Sequence, residues 1–181
     1  MPLTDIEKQT LLRLARASIE SYLIGTPPFR MDPEKGAITE DAGAFVSLHR
    51  GGRLRGCIGT FASPSPLYKT VMDMAAAAAL KDPRFSPVAP EELKDIKIEI
   101  SVLTPLKEIS GPEEIEIGRH GLYIVKGRAR GVLLPQVAVE HGFERYEFLD
   151  QTCVKAGLSP GGWKQGATIF TFEAEIFKET G

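Results

Sequence analysis

The sequence predicts a mixed α+β domain resting mainly on antiparallel sheet, and three observations carry that expectation. Apolar residues alternate with polar ones in segments such as Ile96, Ile98, Ile100 and Val102, the period of a half-buried strand. Other segments repeat their apolar residues at helical spacing. Glycine-bearing turns join short apolar runs into hairpins, and no regular strand–helix–strand alternation calls for parallel crossovers.

The elements follow in order. Thr4 and Glu7 have capping-box spacing, and Ile6, Leu11, Leu14, Ala15 and Tyr22 recur at the period of a helix. Gly25 and Pro27-Pro28 stop that helix. A polar loop containing Asp32-Pro33 runs from Phe29 to Gly43. Phe45, Val46 and Leu48, then Gly51-Gly52, then Leu54, Cys57 and Ile58 read as a β-hairpin. Ser63-Pro64-Ser65-Pro66 closes it and opens a helix, with Ser65 placed to cap and Pro66 at the first helical position. That helix runs through Val71, Met74 and Ala75 to Ala79 and ends before Pro83. So many small side chains imply a helix pressed closely against a neighbour.

The strand of Ile96 to Val102 stops at Pro105. A second hairpin pairs Leu122–Val125 with Val132–Leu134 across a turn at Lys126 to Arg130. Glu144 to Ala156 reads as a helix closed by Gly157. Phe170, Phe172, Ala174 and Ile176 alternate as one final strand. No repeat, low-complexity linker or composition break divides the chain, so residues 1–181 are expected to form one domain.

Bulk properties exclude several classes. The chain has 43% hydrophobic and 25% charged residues and a net charge of −2, so it is globular and carries no overall field toward nucleic acid or anionic membranes. Its longest apolar run, Met74 to Leu80, is too short to span a bilayer. Asp5, Glu7 and Lys8 interrupt the place where a secretory signal needs apolar residues. The two cysteines, Cys57 and Cys153, are far apart in sequence. They suit a reducing compartment and make neither a disulfide scaffold nor a cysteine-only zinc site, so a cytoplasmic protein is expected.

Cys57 is the first candidate for chemistry. Arg53 and Arg55 precede it, and Gly56 and Gly59 flank the Cys57-Ile58 pair. Cationic neighbours and free backbone N–H groups activate a thiol, and the glycines let backbone or ligand approach. The plain alternative is a small apolar residue facing the core. No acidic residue lies between Asp41 and Asp73, or from Ile117 to Val139, although the chain holds 24 acidic residues. Those two windows, bearing Arg50, Arg53, Arg55 and Lys69, then Arg119, Lys126, Arg128 and Arg130, could form an electropositive zone for a thiolate or an anionic small molecule. Solvated arginines on ordinary hairpins are the alternative.

His120, between Gly118-Arg119 and Gly121, is a candidate general base, a metal ligand or a turn residue. Asp82 and Arg84 in Asp82-Pro83-Arg84-Phe85 can pair, or Arg84 can hold an anion. Three scattered histidines make no metal site, and no P-loop, dinucleotide fingerprint or nucleophile elbow occurs.

At these residues the chain resembles the AMMECR-type domain, also called AmmeMemoRadiSam system protein A. The resemblance rests on Phe45-Val46-Ser47-Leu48 and on Leu54-Arg55-Gly56-Cys57-Ile58-Gly59-Thr60. Asp82-Pro83-Arg84-Phe85, Ser101-Val102-Leu103-Thr104-Pro105, Gly121-Leu122, Leu134-Pro135 and Lys155-Ala156-Gly157 follow in the family's order. Phe143 stands where the family commonly has tryptophan. The resemblance implies an α+β fold with a larger and a smaller lobe, and the Cys57 motif near the cleft between them.

It also implies association with a Memo-like, dioxygenase-related protein and a radical SAM protein, and thereby with a modification or redox pathway; it names no cofactor. Three functions compete. One is an enzyme or enzyme subunit using Cys57, with Arg55, Gly56, Gly59 and Arg84 around the ligand and His120 or Asp82 moving protons. Another is a non-catalytic subunit that docks those two proteins. The weakest is a nucleotide or nucleic-acid binder using the basic hairpins.

Overall fold

The computed structural model describes residues 2–27 and 35–181. Pro28 and the Asp32-Pro33 part of the expected loop lie outside the described residues. The chain divides into two compact units, 1–103 with 175–181, and 104–174. Each unit has its own sheet and its own apolar core.

The first unit begins with α1 (Asp5–Ile24), whose N-terminus carries the expected capping box. Glu7 N–H donates to Thr4 Oγ1 at 3.2 Å, and Glu7 Oε2 accepts from Thr4 N–H at 2.9 Å. Gly25, at φ +69°, ends it in the left-handed conformation that glycine adopts without strain. Leu11, Leu14, Ala15 and Ile19 are buried along one face.

β1 (Ala44–Arg50) and β2 (Arg53–Thr60) form the predicted hairpin, turned by Gly51 and Gly52 at φ +57° and +75°. Two successive positive φ values are what a tight two-residue hairpin loop demands. β3 (Ile96–Leu103) pairs antiparallel with β1, and β8 (Ala174–Lys178) lies beyond it, giving the order β2-β1-β3-β8 with β2 at one edge. Ala44, Val46 and Leu48 on β1 and Ile96, Ile98 and Ile100 on β3 bury one face against the helices.

α2 (Leu67–Leu80) starts one residue later than Ser65 and Pro66 suggest. Pro66 is its N-cap, and no side chain caps it. The Leu67 N–H goes instead to the Glu40 carbonyl at 2.8 Å, so a distant segment supplies the acceptor that Ser65 was expected to offer. The alanine run does mark close packing. A Cβ on Gly56 would lie 2.2 Å from the Ala78 carbonyl oxygen, so the glycine is what lets α2 sit on β2.

The second unit holds β4 (Lys107–Ile109), β5 (Gly121–Lys126), β6 (Ala129–Leu133) and β7 (Thr168–Phe172), ordered β4-β7-β5-β6 with antiparallel pairing. α3 (Pro135–His141) and α4 (Arg145–Lys155) belong to it, and Phe148, Leu149 and Cys153 of α4 enter its core. A Cβ on Gly131 of β6 would lie 2.7 Å from the Thr152 carbonyl, so this unit too seats a helix on a strand glycine.

Two expectations need correction. The final alternating run is two strands in two sheets, broken at Glu173. Its N–H donates to Thr104 Oγ1 at 2.7 Å and its carbonyl accepts from Thr104 N–H at 2.9 Å. Ile176, expected to face the core, is 41% exposed. β4 and α3 are too short to show a period in the sequence. Among the described residues no helix is long and apolar enough to cross a membrane.

Candidate functional site

The Cys57 motif is strand β2, and its side chains are sorted by a bulge. From the turn, Arg50 pairs with Arg53 and His49 with Leu54, but Leu48 then pairs with Gly56 and Ser47 with Cys57. Arg55 is the extra residue. Without it the hairpin register would put Cys57 opposite Val46, on the face buried against α2. With it, Gly56 and Ile58 face the core, while Cys57 stands opposite Ser47 on the other face, half-buried. Ser47 Oγ–H donates to Cys57 Sγ at 3.2 Å.

The segment after α2 runs beside the β2 edge. The Cys57 N–H donates to Asp82 Oδ2 at 2.9 Å, and Arg84 Nη2 donates to the Cys57 carbonyl at 3.4 Å. Arg84 also grips Asp82 at both oxygens, Nε to Oδ1 at 3.1 Å and Nη2 to Oδ2 at 2.8 Å, while its own N–H donates to Oδ1 at 3.0 Å. The Asp82 side chain is 2% exposed and that of Arg84 54%. The Arg84 guanidinium, and then the N–H groups of Cys57 and Arg84, hold the Asp82 carboxyl well below the usual carboxylate range despite its burial.

Arg55 is tied inward. It donates through Nε and Nη2 to both Glu92 oxygens, at 2.9 and 3.0 Å, and to the carbonyls of Ser86 and Pro87 at 2.8 and 3.3 Å. The Arg55 guanidinium, followed by the Ala89 N–H, lowers the Glu92 carboxyl to about 2. Gly56 and Gly59 face protein atoms. Gly56 meets Ala78, and a Cβ on Gly59 would lie 2.2 Å from the Phe45 ring and 2.7 Å from the Ala44 carbonyl. In the second unit, His120 closes a turn: its Nδ1 accepts the Glu116 N–H at 3.0 Å and its own N–H donates to the Glu116 carbonyl at 3.0 Å.

Thus the structure brings Cys57, Asp82 and Arg84 together, sets Arg55 beside them as the bulge anchor, and places His120 in the other unit. Ser47 and Glu92 take part as well. Neither stood out in the sequence, although the Gly51-Gly52 turn fixes the hairpin closely enough to bring Ser47 within one residue of Cys57. Three of the cations in the acid-free windows are paired. Arg50 and Arg55 meet Glu92, Arg50 also lies 3.7 Å from Asp95, and Arg119 meets Glu116 and Glu173, all acids from outside those windows.

Among the described residues no group of three His, Cys, Asp or Glu side chains is placed to share a metal ion. A hollow of about 810 Å³ lies along α1, lined by residues such as Arg13, Leu93 and Phe177 and by none of the motif residues. Cys57 is therefore not part of that hollow.

Comparisons with known proteins cover nearly the whole chain. The family model described as AMMECR1 matches residues 12–177. Protein Mbar_A1807 of Methanosarcina barkeri is 44% identical over 98% of this chain and 92% of its own. Protein PF1979 of Pyrococcus furiosus is 46% identical over 93% of this chain and 86% of its own. The crystal structure of uncharacterized protein PH0010 from Pyrococcus horikoshii superposes with a TM-score of 0.89 at 42% identity, covering 98% of this chain and 93% of that one.

Proposed function

The chain belongs to the AMMECR1 family, and we propose that it works as an enzyme or enzyme subunit whose reacting group is the Cys57 thiol, acting on a substrate with an anionic group. One observation carries this reading: a half-buried cysteine is held at its sulfur by Ser47 and at its backbone N–H and C=O by Asp82 and Arg84. A cysteine that serves only to fill a core needs no such polar setting.

In this reading Arg84 supplies the cation for the substrate. It is anchored by Asp82 through Nε and Nη2, and its exposed end keeps the Nη1 hydrogens for a carboxylate or phosphate. Arg55, expected beside it, is the bulge anchor and not a ligand group, because its donors are engaged within the protein. Asp82 holds Cys57 in place. With its carboxyl ionised and both oxygens accepting hydrogen bonds, it is not the proton carrier. The setting is the cytoplasm, and the partners are a Memo-like protein and a radical SAM protein, a reading drawn from family resemblance.

Inorganic phosphate tests the anionic site. At tens of millimolar it should slow iodoacetamide alkylation of Cys57 and raise the Tm of the wild-type protein by mass action. Arg84→Gln should lose both effects. A Cys57 that alkylates no faster than a buried thiol, or phosphate effects equal in the two proteins, would overturn the reading.

A further inference from the structure

We propose that the segment from Asp82 to Glu92 is a positioning device for Cys57: its side chains stand in for a missing neighbour strand and fix the register that turns the thiol out of the core. The inference rests on the reading of Cys57 as the reacting group.

The edge of a sheet leaves alternate residues with both N–H and C=O pointing outward. On β2 the outward N–H and C=O of Cys57 are taken by a carboxylate and a guanidinium. A strand in that place would bond by backbone along its whole length. Asp82 and Arg84 instead address Cys57 alone, and their charges keep another strand from pairing at that point. From the inner side Ser47 reaches the sulfur, so the backbone and the thiol of one residue are held together.

Arg55 and Glu92 do the same for the bulge. A bulge is the one feature that lets a strand change which face its residues present, and it can slip unless something holds the extra residue. Here that residue is Arg55, and four hydrogen bonds to Glu92, Ser86 and Pro87 hold it from outside. Glu92 is itself fixed by accepting the Ala89 N–H at 2.8 Å. The two ion pairs therefore act in series along one strand: Arg55–Glu92 sets the register, and Asp82–Arg84 locks the residue that the register exposes. Both acidic members are well covered, with side-chain exposures of 14% for Glu92 and 2% for Asp82.

The test is amide hydrogen exchange resolved by residue, with iodoacetamide alkylation of Cys57 alongside, for the wild type, Arg84→Gln, Glu92→Gln and Arg84→Lys. Arg84→Gln should speed exchange of the Cys57 amide at least tenfold while β1–β3 ladder amides keep their wild-type rates. Arg84→Lys, which still donates to Asp82, should recover part of the protection. Glu92→Gln should speed Cys57 alkylation several-fold by loosening the bulge that holds the half-buried thiol in its fixed setting. A merely structural role would raise exchange across the whole sheet and leave the ratio of Cys57 to ladder amides unchanged; that result, or unaltered alkylation in Glu92→Gln, overturns the proposal. Exchange is read without ligand, so its failure is distinct from a failure of phosphate protection, which would strike the anionic-substrate reading alone.

Discussion

Replacing Gly56 by alanine separates two meanings of a glycine beside the thiol. If the glycine exists to admit a ligand, an added methyl leaves stability alone. The structure requires otherwise: the new Cβ would stand 2.2 Å from the Ala78 carbonyl oxygen, where real contacts do not fall below 3.0 Å. Helix or strand must retreat by about 0.8 Å, and each is locked to the core, α2 by its own Val71 and Ala75 and β2 by its pairing with β1, where Leu48 across from Gly56 is buried. Overpacking of this kind costs about 1–3 kcal/mol. The lower entropy of the unfolded alanine chain returns about 0.4–1 kcal/mol. From the middle of each range the net is about 1.3 kcal/mol, or a Tm lower by roughly 3–5 °C for a chain of this size. Ala78→Gly should bring no rescue, because the obstructing atom is backbone. Gly162→Ala is the control, since its nearest neighbour, the Leu158 Cβ at 3.3 Å, can give way. Thermal unfolding followed by circular dichroism is the assay. A Gly56→Ala protein within 1 °C of wild type would refute the packing argument.

Two further outcomes follow from the same structure. Cys153 is fully buried, and burial pushes its thiol up, whereas Cys57 is half-exposed; mass analysis after native alkylation should find one label on Cys57, and two labels once the chain is unfolded. Two labels in the native protein would contradict that burial. Glu92 titrates at about 2 in the folded chain against 4.5 for the free side chain, so its contribution to stability is present above pH 4.5 and is lost as pH falls toward 2. Glu92→Gln should be less stable at pH 7, and its urea midpoint should fall less steeply below pH 4.5; parallel slopes would show that the Arg55 pair carries no such linkage.

Much of the architecture was legible because it is local. Thr4 with Glu7, Gly51-Gly52 and the alternation of Ile96 to Val102 act through neighbours in sequence, so composition and spacing suffice to read the capped helix, the hairpin turn and the strand. The alanine run announced a close helix contact without saying against what. Where an outcome depended on a distant acceptor, the reading failed. Ser65 looks like a cap until Glu40 arrives to take the Leu67 N–H, and the last alternating run looks like one strand until Thr104 breaks it at Glu173.

The candidate site divides in the same way. The sequence alone determined that a cysteine lies in a glycine-flanked hairpin strand and that Asp82 and Arg84 stand close enough in the chain to pair. The face on which the thiol emerges was left to tertiary structure. In a strand the side chains alternate with period two, so a single extra residue exchanges inside and outside. That residue is Arg55, and what holds it out of the ladder is Glu92, from a segment that lies past an entire helix in the chain. Local sequence sets the period of a strand, whereas its phase relative to the core is set by groups that only folding brings near.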